Sequence, residues 1–253
     1  MIPGSNHFTG LNSYREAFAD PTFLIAVINT VELTAAAVVI SMLVGTGLAI
    51  LLNRKFFGRG IVRTLLITPF LVMPVAGALL WKTTIYDPIY GLLNFVLSPF
   101  GVHNVAWVST YPMPSIVALL VWEWAPFMML IVLSGLQSEP LEVLEAARVD
   151  GSSTVQSFVH VTWPHIRRYV QLGVLLGSVY IIQAFGEIYM ITSGGPGTAT
   201  TNLPYYLWEQ VFNAYNVGVA AAAGVIVLIG TEIVALFALR LVSSLIAATE
   251  MIG

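Results

Sequence analysis

Hydrophobic residues along the chain fall into five long runs that are separated by polar segments. Each run contains at least the roughly 20 residues that an α-helix needs to cross the hydrocarbon core of a bilayer. The pattern predicts five spans, named A to E, at residues 24–52, 61–81, 115–136, 169–191 and 217–242. We therefore expect an all-α, polytopic membrane protein with five spans in this chain.

The segments between the runs are polar and rich in turn-forming residues. Residues 1–23 are expected to form an extracytoplasmic segment, followed by a transmembrane domain at residues 24–243. Residues 82–114 form a polar connection in which a short interfacial helix is expected near residues 91–97. Pro69 and Pro74 predict a kink in span B, because proline removes a backbone hydrogen bond from a helix.

Composition agrees with this class of protein. Hydrophobic residues make up 57% of the chain, charged residues make up 9%, and the mean hydropathy is +0.85. The chain has no cysteine, which excludes disulfide bonds, cysteine-ligated metal centres and a thiol nucleophile.

The basic residues are distributed unevenly between the two ends of the predicted spans. Cytoplasmic loops of membrane proteins carry an excess of Lys and Arg. If the five spans alternate in direction, eight of the ten basic residues fall on one side, namely Arg54, Lys55, Arg59, Arg63, Arg148, Arg167, Arg168 and Arg240. We therefore expect the A–B and C–D loops and the C-terminus in the cytoplasm, and the N-terminus of this chain outside.

This orientation places a polar N-terminal segment outside the membrane with no apolar segment before it to export it. We expect a further helix upstream of Met1, which would give six spans in the complete protein. A five-span protein with a short translocated N-terminus is the alternative.

The C–D loop, residues 137–168, has helical character but is too polar for lipid. Pro140 fits the first turn of a helix, and Asp150-Gly151 provides a stop. Ser152-Ser153 can cap a second short helix, which we expect to end at Trp163 and Pro164. The pattern predicts a helix–turn–helix along the cytoplasmic surface. Its first helix is acidic, whereas interfacial helices favour Lys and Arg. A protein partner is therefore favoured over the alternative of an amphipathic loop on lipid.

Glu145, Ala146 and Ala147, followed after three residues by Gly151 and later by Pro164, resemble the EAA loop of binding-protein-dependent ABC importer permeases. Trp163 stands where that family has leucine. Other segments resemble the carbohydrate permeases of the maltose and glycerol-phosphate class, and in particular the first of their two permeases. These segments are Gly10 to Tyr14, Gly60 with Arg63, Pro69 with Pro74, Trp122 with Pro126 to Met128, Leu136-Gln137 with Pro140, and Thr192 with Gly194 to Pro196.

The resemblance implies a type I importer permease fold in the bacterial or archaeal cytoplasmic membrane. It implies a second homologous permease, an ATPase dimer and an extracytoplasmic solute-binding protein as partners, and a sugar or polyol as substrate. ATP and Mg²⁺ would bind to the ATPase, with no cofactor bound by this chain. Residues 137–168 would be the cytoplasmic coupling loop, and the residues expected to contact the ATPase are Glu145, Ala146, Ala147, Asp150, Gly151 and Pro164.

A few polar residues lie inside the predicted spans, where charged side chains usually face a cavity or a partner. We expect them to line a passage in the outer half of the membrane, with amides and carboxylates binding hydroxyl groups. The alternative is that the acids are solvated at the outer interface. The candidates are Tyr180, Gln183 and Glu187 on one helical face, Asn29 with Glu32, and Glu123.

Motifs of catalysis are absent from the sequence. Lys82-Thr83 imitates the end of a Walker A loop, but Trp81 occupies the position that needs glycine. We predict no catalytic residue, no metal site and no nucleic-acid binding. Two other classes stay open as alternatives: an intramembrane enzyme that uses Glu123, Glu187 or a histidine, and a membrane receptor or scaffold that docks a partner on the cytoplasmic loop.

Overall fold

A computed structural model describes residues 11–250, and its regular secondary structure there is entirely helical. This confirms the predicted all-α class. Residues 1–10, including the start of the predicted extracytoplasmic segment, lie outside the described residues. The helices are α1 (Asn12–Ala19), α2 (Pro21–Asn53), α3 (Arg59–Leu71), α4 (Pro74–Leu80), α5 (Leu92–Leu97), α6 (Trp107–Thr110), α7 (Pro112–Gln137), α8 (Leu141–Val149), α9 (Thr154–Ser157), α10 (Trp163–Ile181), α11 (Gly186–Ile191), α12 (Leu203–Phe212) and α13 (Val217–Glu250).

Helices α2 and α7 correspond to predicted spans A and C and are continuous. The N-terminus of α2 is capped by Asp20, whose Oδ1 accepts a hydrogen bond of 2.8 Å from the Thr22 N–H. Pro21 follows in the first turn, where backbone N–H groups have no acceptor within the helix, so the N–H that proline lacks is not needed. Both helices are long and apolar enough to cross a bilayer unaided.

Predicted span B is broken more sharply than a kink. Helices α3 and α4 are bent by 101° at Val72 and Met73, and a π-helical turn at Trp81–Ile85 continues α4. Met73 has an extended backbone (φ −61°, ψ 130°), because a following proline disfavours the helical region. The two helices together form either a broken span or a re-entrant loop.

Predicted span D needs two corrections. Helix α10 begins at Trp163, so Pro164 lies in its first turn rather than ending the preceding helix. The chain also leaves the helix after Ile181 and resumes it at Gly186. The N–H groups of Gln183 and Ala184 donate to carbonyls three residues back, and Phe185 has a non-helical backbone (φ −129°, ψ −50°).

The number of spans stays a prediction. By length and composition, α2 and α7 qualify among the described residues, and the bent pair α3–α4 is a third candidate. Helix α13 (Val217–Glu250) begins at residue 217, as predicted for span E, and extends beyond the predicted end. Its first part, Val217–Ile233, is an apolar helix.

Helices α2, α7 and α10 form the centre of the molecule. Met42 and Leu52 of α2, Met128 and Leu133 of α7, and Ile166 of α10 belong to one buried apolar cluster. Helix α3 packs on α7, α13 packs on α10 and α12, and α4 packs on α11. The broken segments α4 and α11 therefore meet each other beside α7, which positions the buried acids described below.

Candidate functional site

The C–D loop forms the predicted helix–turn–helix. Gly151 has a left-handed backbone (φ +80°), and the Ser152 N–H donates to the Ala147 carbonyl at 3.0 Å, which closes the C-terminus of α8. Ser153 then begins α9 with a capping box, in which the Gln156 N–H donates to the Ser153 Oγ at 3.3 Å and the Gln156 Oε1 accepts from the Ser153 N–H at 2.9 Å. The turn is thus defined by one glycine and one reciprocal cap.

Helix α8 has no buried residue. Its exposed side chains include apolar ones, with Leu141 72% and Val149 86% exposed, and Val155 of α9 is 72% exposed. Of the residues predicted to couple, Ala147 is half-buried against the chain and the others are exposed, namely Glu145, Ala146, Asp150, Gly151 and Pro164. The loop therefore presents an apolar surface that the described residues do not cover.

The two ends of the loop are tied together by a hydrogen-bonded cluster that sequence reasoning missed. The Ser138 hydroxyl, just after α7, lies 3.0 Å from the His165 Nε2 and 2.9 Å from the Tyr169 hydroxyl, both at the start of α10. Neither the spacing of the histidines nor the hydropathy pattern of the sequence predicts that these three residues come together. The cluster makes the ends of α7 and α10 one support for the loop.

A cavity of about 210 Å³ lies beneath the loop, between the C-terminal ends of α2 and α7. Glu139 lines it and is 9% exposed, and its Oε1 has no hydrogen-bond partner among the described residues. Arg148 of α8 lines the same cavity.

The six predicted passage residues separate into two groups. Asn29, Glu123 and Glu187 are buried within the chain, whereas Glu32, Tyr180 and Gln183 are exposed. The expectation that Tyr180, Gln183 and Glu187 share one helical face is wrong, because the break at residues 182–185 separates Glu187 from the other two.

The side-chain amide of Asn29 donates two hydrogen bonds to backbone carbonyls. Its Nδ2 donates to the carbonyls of Thr198 and Thr201, both at 2.9 Å. The neighbouring Thr30 hydroxyl accepts from the Leu203 N–H at 2.8 Å. These bonds fasten the connection after α11 onto α2.

Glu123 of α7 and Glu187 of α11 are 4% and 5% exposed. Helix α7, which carries Glu123, contacts both α4 and α11. Gly77 of α4 lies against Glu123, since a Cβ built on it would lie 2.8 Å from the Glu123 Oε1. Neither acid lines the large grooves of the described residues.

One of the exposed candidates, Tyr180, belongs to an aromatic surface. Tyr180 stacks on Trp124 with 5.6 Å between ring centroids, and Phe70 contacts both Trp124 and Phe127 at 5.6 and 5.2 Å. The Gln183 Nε2 donates to the Val179 carbonyl at 2.7 Å. Phe70 was not among the predicted residues, because an aromatic residue in an apolar run carries no distinguishing pattern.

An open groove of about 700 Å³ lies where the π-helical turn after α4 meets residues 106–109 and 190–196. The Lys82 Nζ donates to the Met190 carbonyl at 2.8 Å across it. Asp87 accepts from the Ile89 and Tyr90 N–H groups at 2.8 Å each, and these bonds lower the pKa of its carboxyl. The polar connection thus has a defined shape that its composition alone did not predict.

Comparison with known proteins identifies the family of this chain. Residues 37–247 match the family described as the binding-protein-dependent transport system inner membrane component. The probable ABC transporter permease protein y4oQ of Sinorhizobium fredii is 33% identical over 86% of this chain and 71% of its own length. The trehalose/maltose transport system permease protein MalF of Thermococcus litoralis is 33% identical over 83% of this chain and 70% of its own length.

A solved structure shares the fold. A chain of a bacterial ABC transporter involved in the import of the acidic polysaccharide alginate superposes with a TM-score of 0.83, at 22% identity, over 95% of this chain and 85% of that chain. The shared fold and the family match agree with the helical architecture described above. The chain belongs to the family of binding-protein-dependent transport system inner membrane components, the permeases of ABC importers.

Proposed function

We propose that this chain is the transmembrane permease subunit of an ATP-driven importer for a sugar or a related polyhydroxy solute. It pairs with a second, homologous permease, a dimer of ATPase subunits and an extracytoplasmic solute-binding protein. The observation that carries the proposal is the uncovered α8–Gly151–α9 loop in a chain of this family. The sugar assignment is supported by the relative named for trehalose and maltose.

The loop is suited to docking because its exposed side chains follow helical spacing. Leu141, Glu145 and Val149 are four residues apart, so they lie along one line of α8, and all three are exposed. In the proposal this line enters a cleft of the ATPase, which binds and hydrolyses ATP with Mg²⁺. The chain itself has no catalytic role.

Movement of the docked loop is passed on to the membrane through the two helices at its ends, α7 and α10. Helix α8 follows α7 after three residues, and the π-helical turn at Phe158–Thr162 runs directly into α10. The Ser138–His165–Tyr169 cluster joins these two helix ends. A displacement of the loop therefore moves α7 and α10 together, and these helices carry the aromatic surface.

The aromatic surface is the proposed wall of the passage. Tyr180 is 55% exposed and lies against Trp124, and Gln183 offers an amide beside it. Binding sites for small solutes combine aromatic side chains with a few polar groups. The second permease is proposed to close the passage on the opposite side, and Glu32 on α2 remains a candidate on its edge.

The orientation follows from the basic residues. We propose that the coupling loop, residues 137–168, and the α2–α3 connection face the cytoplasm and that α1 and the groove near Lys82 face outward. Five crossings then correspond to α2, the pair α3–α4, α7, the pair α10–α11, and α13.

The test is ATP hydrolysis by the complete complex in lipid nanodiscs, with and without binding proteins loaded with candidate sugars or polyols. We expect one loaded binding protein to stimulate hydrolysis. Replacement of Leu141 by Asp is expected to abolish that stimulation, because a charge would replace an exposed apolar side chain at the start of the docking line. Replacement of Leu11 by Asp is the matched control, since Leu11 is equally exposed at 77% but lies outside the loop.

Three results would contradict parts of this proposal. Stimulation by none of the loaded proteins in an assembled complex would contradict the sugar assignment. Full stimulation of the Leu141→Asp variant would contradict the docking surface. Failure of any ATPase to co-purify, with chemical turnover by the lone chain or partner binding without transport, would favour the enzyme or the scaffold alternative.

A further inference from the structure

The cavity beneath the loop at residues 137–168 contains two groups of opposite charge. It measures about 210 Å³ and is lined by the end of α2, the end of α7 and the helices α8 and α9. Glu139, just after α7, and Arg148, in the last turn of α8, both line it. Uncharged polar side chains complete the polar part of the wall, namely Asn53, Ser152, Thr154, Ser157 and Thr162. The cavity therefore offers hydrogen-bond donors and acceptors as well as charges.

Glu139 is the group in this cavity that most needs a partner. Its side chain is 9% exposed, and its Oε1 is buried without a hydrogen-bond partner among the described residues. Removing a carboxyl oxygen from water without a compensating hydrogen bond is costly, and buried polar groups in native proteins nearly always have a partner. An occupant of the cavity that donates hydrogen bonds to Glu139 would remove this cost.

Arg148 does not supply those hydrogen bonds. Within the part of the chain that the structure describes, no hydrogen bond or ion pair joins the side chains of Glu139 and Arg148, although both line the same cavity. The guanidinium of Arg148 is exposed and has only donors, arranged to fit a carboxylate. The cavity thus holds a negative and a positive group at separate positions, each without a charged partner.

We propose that this cavity binds a small zwitterion of the free amino acid type, with its ammonium group against Glu139 and its carboxylate against Arg148. Charged hydrogen bonds of both kinds are among the stronger ones in proteins. The cavity has the volume of about seven water molecules at roughly 30 Å³ each, which suits an amino acid of about six non-hydrogen atoms. A simple cation would satisfy Glu139 alone, and a simple anion would satisfy Arg148 alone.

An occupant of this cavity would connect the loop to the membrane helices. Asn53 is the last residue of α2, whereas Arg148 and Thr154 belong to α8 and α9. A bound amino acid would therefore restrain the loop against α2. The binding goes beyond the proposed function, because it requires neither the ATPase nor the transported solute.

The test is isothermal titration calorimetry of the assembly that co-purifies with this chain, in lipid nanodiscs. L-alanine is the probe. Propionate lacks its ammonium group and ethylamine lacks its carboxylate, so the two compounds are matched control ligands. We expect L-alanine to bind, and each control ligand to bind roughly tenfold or more weakly, because each loses one charged pair.

Two substitutions locate the binding. Glu139→Gln and Arg148→Gln are each expected to weaken L-alanine binding roughly tenfold or more. Glu142→Gln and Arg54→Gln are the matched controls, since both side chains are exposed and do not line the cavity. Both controls are expected to bind L-alanine as the wild type does.

Thermal unfolding without L-alanine checks the starting point of the proposal. Glu139→Gln is expected to melt close to the wild type, because the Glu139 Oε1 has no hydrogen bond to lose. A large fall in the melting temperature of this variant would reveal a structural partner of Glu139 and would overturn the proposal.

The titrations can also overturn it. If L-alanine does not bind, water alone fills the cavity. If ethylamine binds as tightly as L-alanine, the site is a cation site, and if Glu139→Gln or Arg148→Gln leaves L-alanine binding unchanged, the binding lies elsewhere. The importer function is tested separately by stimulation of ATP hydrolysis, so failure of one proposal is distinguishable from failure of the other.

Discussion

The close approach of α2 and α7 makes Gly45 the most sensitive small residue of the central helices. A Cβ added at Gly45 would lie 2.7 Å from the Met128 Cβ, 2.8 Å from the Ala125 carbonyl oxygen and 2.8 Å from the Met129 nitrogen. Ordinary carbon contacts are about 3.5–4.0 Å. All three obstacles are backbone or Cβ atoms, so the helices must separate by roughly 1 Å before alanine fits.

The expected loss of stability follows from that displacement. Overpacking costs about 1–3 kcal/mol, and the rigid obstacles at Gly45 place Gly45→Ala near the upper end. The higher helix propensity of alanine relative to glycine offsets about 0.5–1 kcal/mol of this loss. The net destabilisation is therefore about 2 kcal/mol, which corresponds to a fall in Tm of roughly 4–8 °C for a chain of this size.

The assay is thermal unfolding of the purified complex, followed by tryptophan fluorescence. Gly47→Ala is the matched control, because it lies in the same helix and a Cβ there meets nothing within 4 Å. Gly177→Ala provides a graded comparison, since its nearest obstacle is the flexible end of Met128. The reasoning is refuted if Gly45→Ala and Gly47→Ala melt at the same temperature, or if Gly177→Ala is the more damaging change.

Three further substitutions test the loop and the attachments of α2. Gly151→Ala forces a side chain into a left-handed backbone at a cost of about 1–2 kcal/mol. We expect this variant to take up less solute per ATP hydrolysed. An unchanged ratio of uptake to ATP hydrolysis would contradict the loop geometry. Ser153→Ala removes the capping box and should destabilise α9 by about 1 kcal/mol, measured as faster amide exchange in residues 154–157. Asn29→Ala leaves the buried Thr201 carbonyl without its amide donor at a cost of about 1–3 kcal/mol, and an unchanged Tm would argue against this attachment.

Local chemistry was sufficient to predict several elements from the sequence. The continuous helices α2 and α7 were found because an uninterrupted apolar run of that length has few alternatives to a membrane helix. The turn at Gly151 and a cap at Ser152-Ser153 were predicted because each depends on a particular residue type, and the structure places the cap at Ser153. The break at Pro74 was predicted for the same reason, although its angle of 101° was not.

The break after Ile181 could not be found in this way, because residues 181–186 contain no proline and lie within one long apolar run, residues 169–191. The structure ends the helix there and uses the Ala184 carbonyl as an acceptor for the Asn202 Nδ2 at 2.6 Å. The separation of the six predicted passage residues into buried and exposed groups also depended on contacts distant in sequence. Asn29 bonds to residues about 170 positions away.

The sequence by itself determined the class of this protein, its continuous membrane helices and its helix–turn–helix loop, since apolar length, glycine, proline and capping residues act within a few residues of one another. Only the tertiary structure decided which polar residues are exposed and which are buried. Glu187 is four residues from Gln183 in sequence, yet Glu187 is buried and Gln183 is exposed, because the break separates α11 from α10 and α11 packs against α4 and α7. Burial of this kind is decided by helix packing, and a hydropathy pattern contains no information about it.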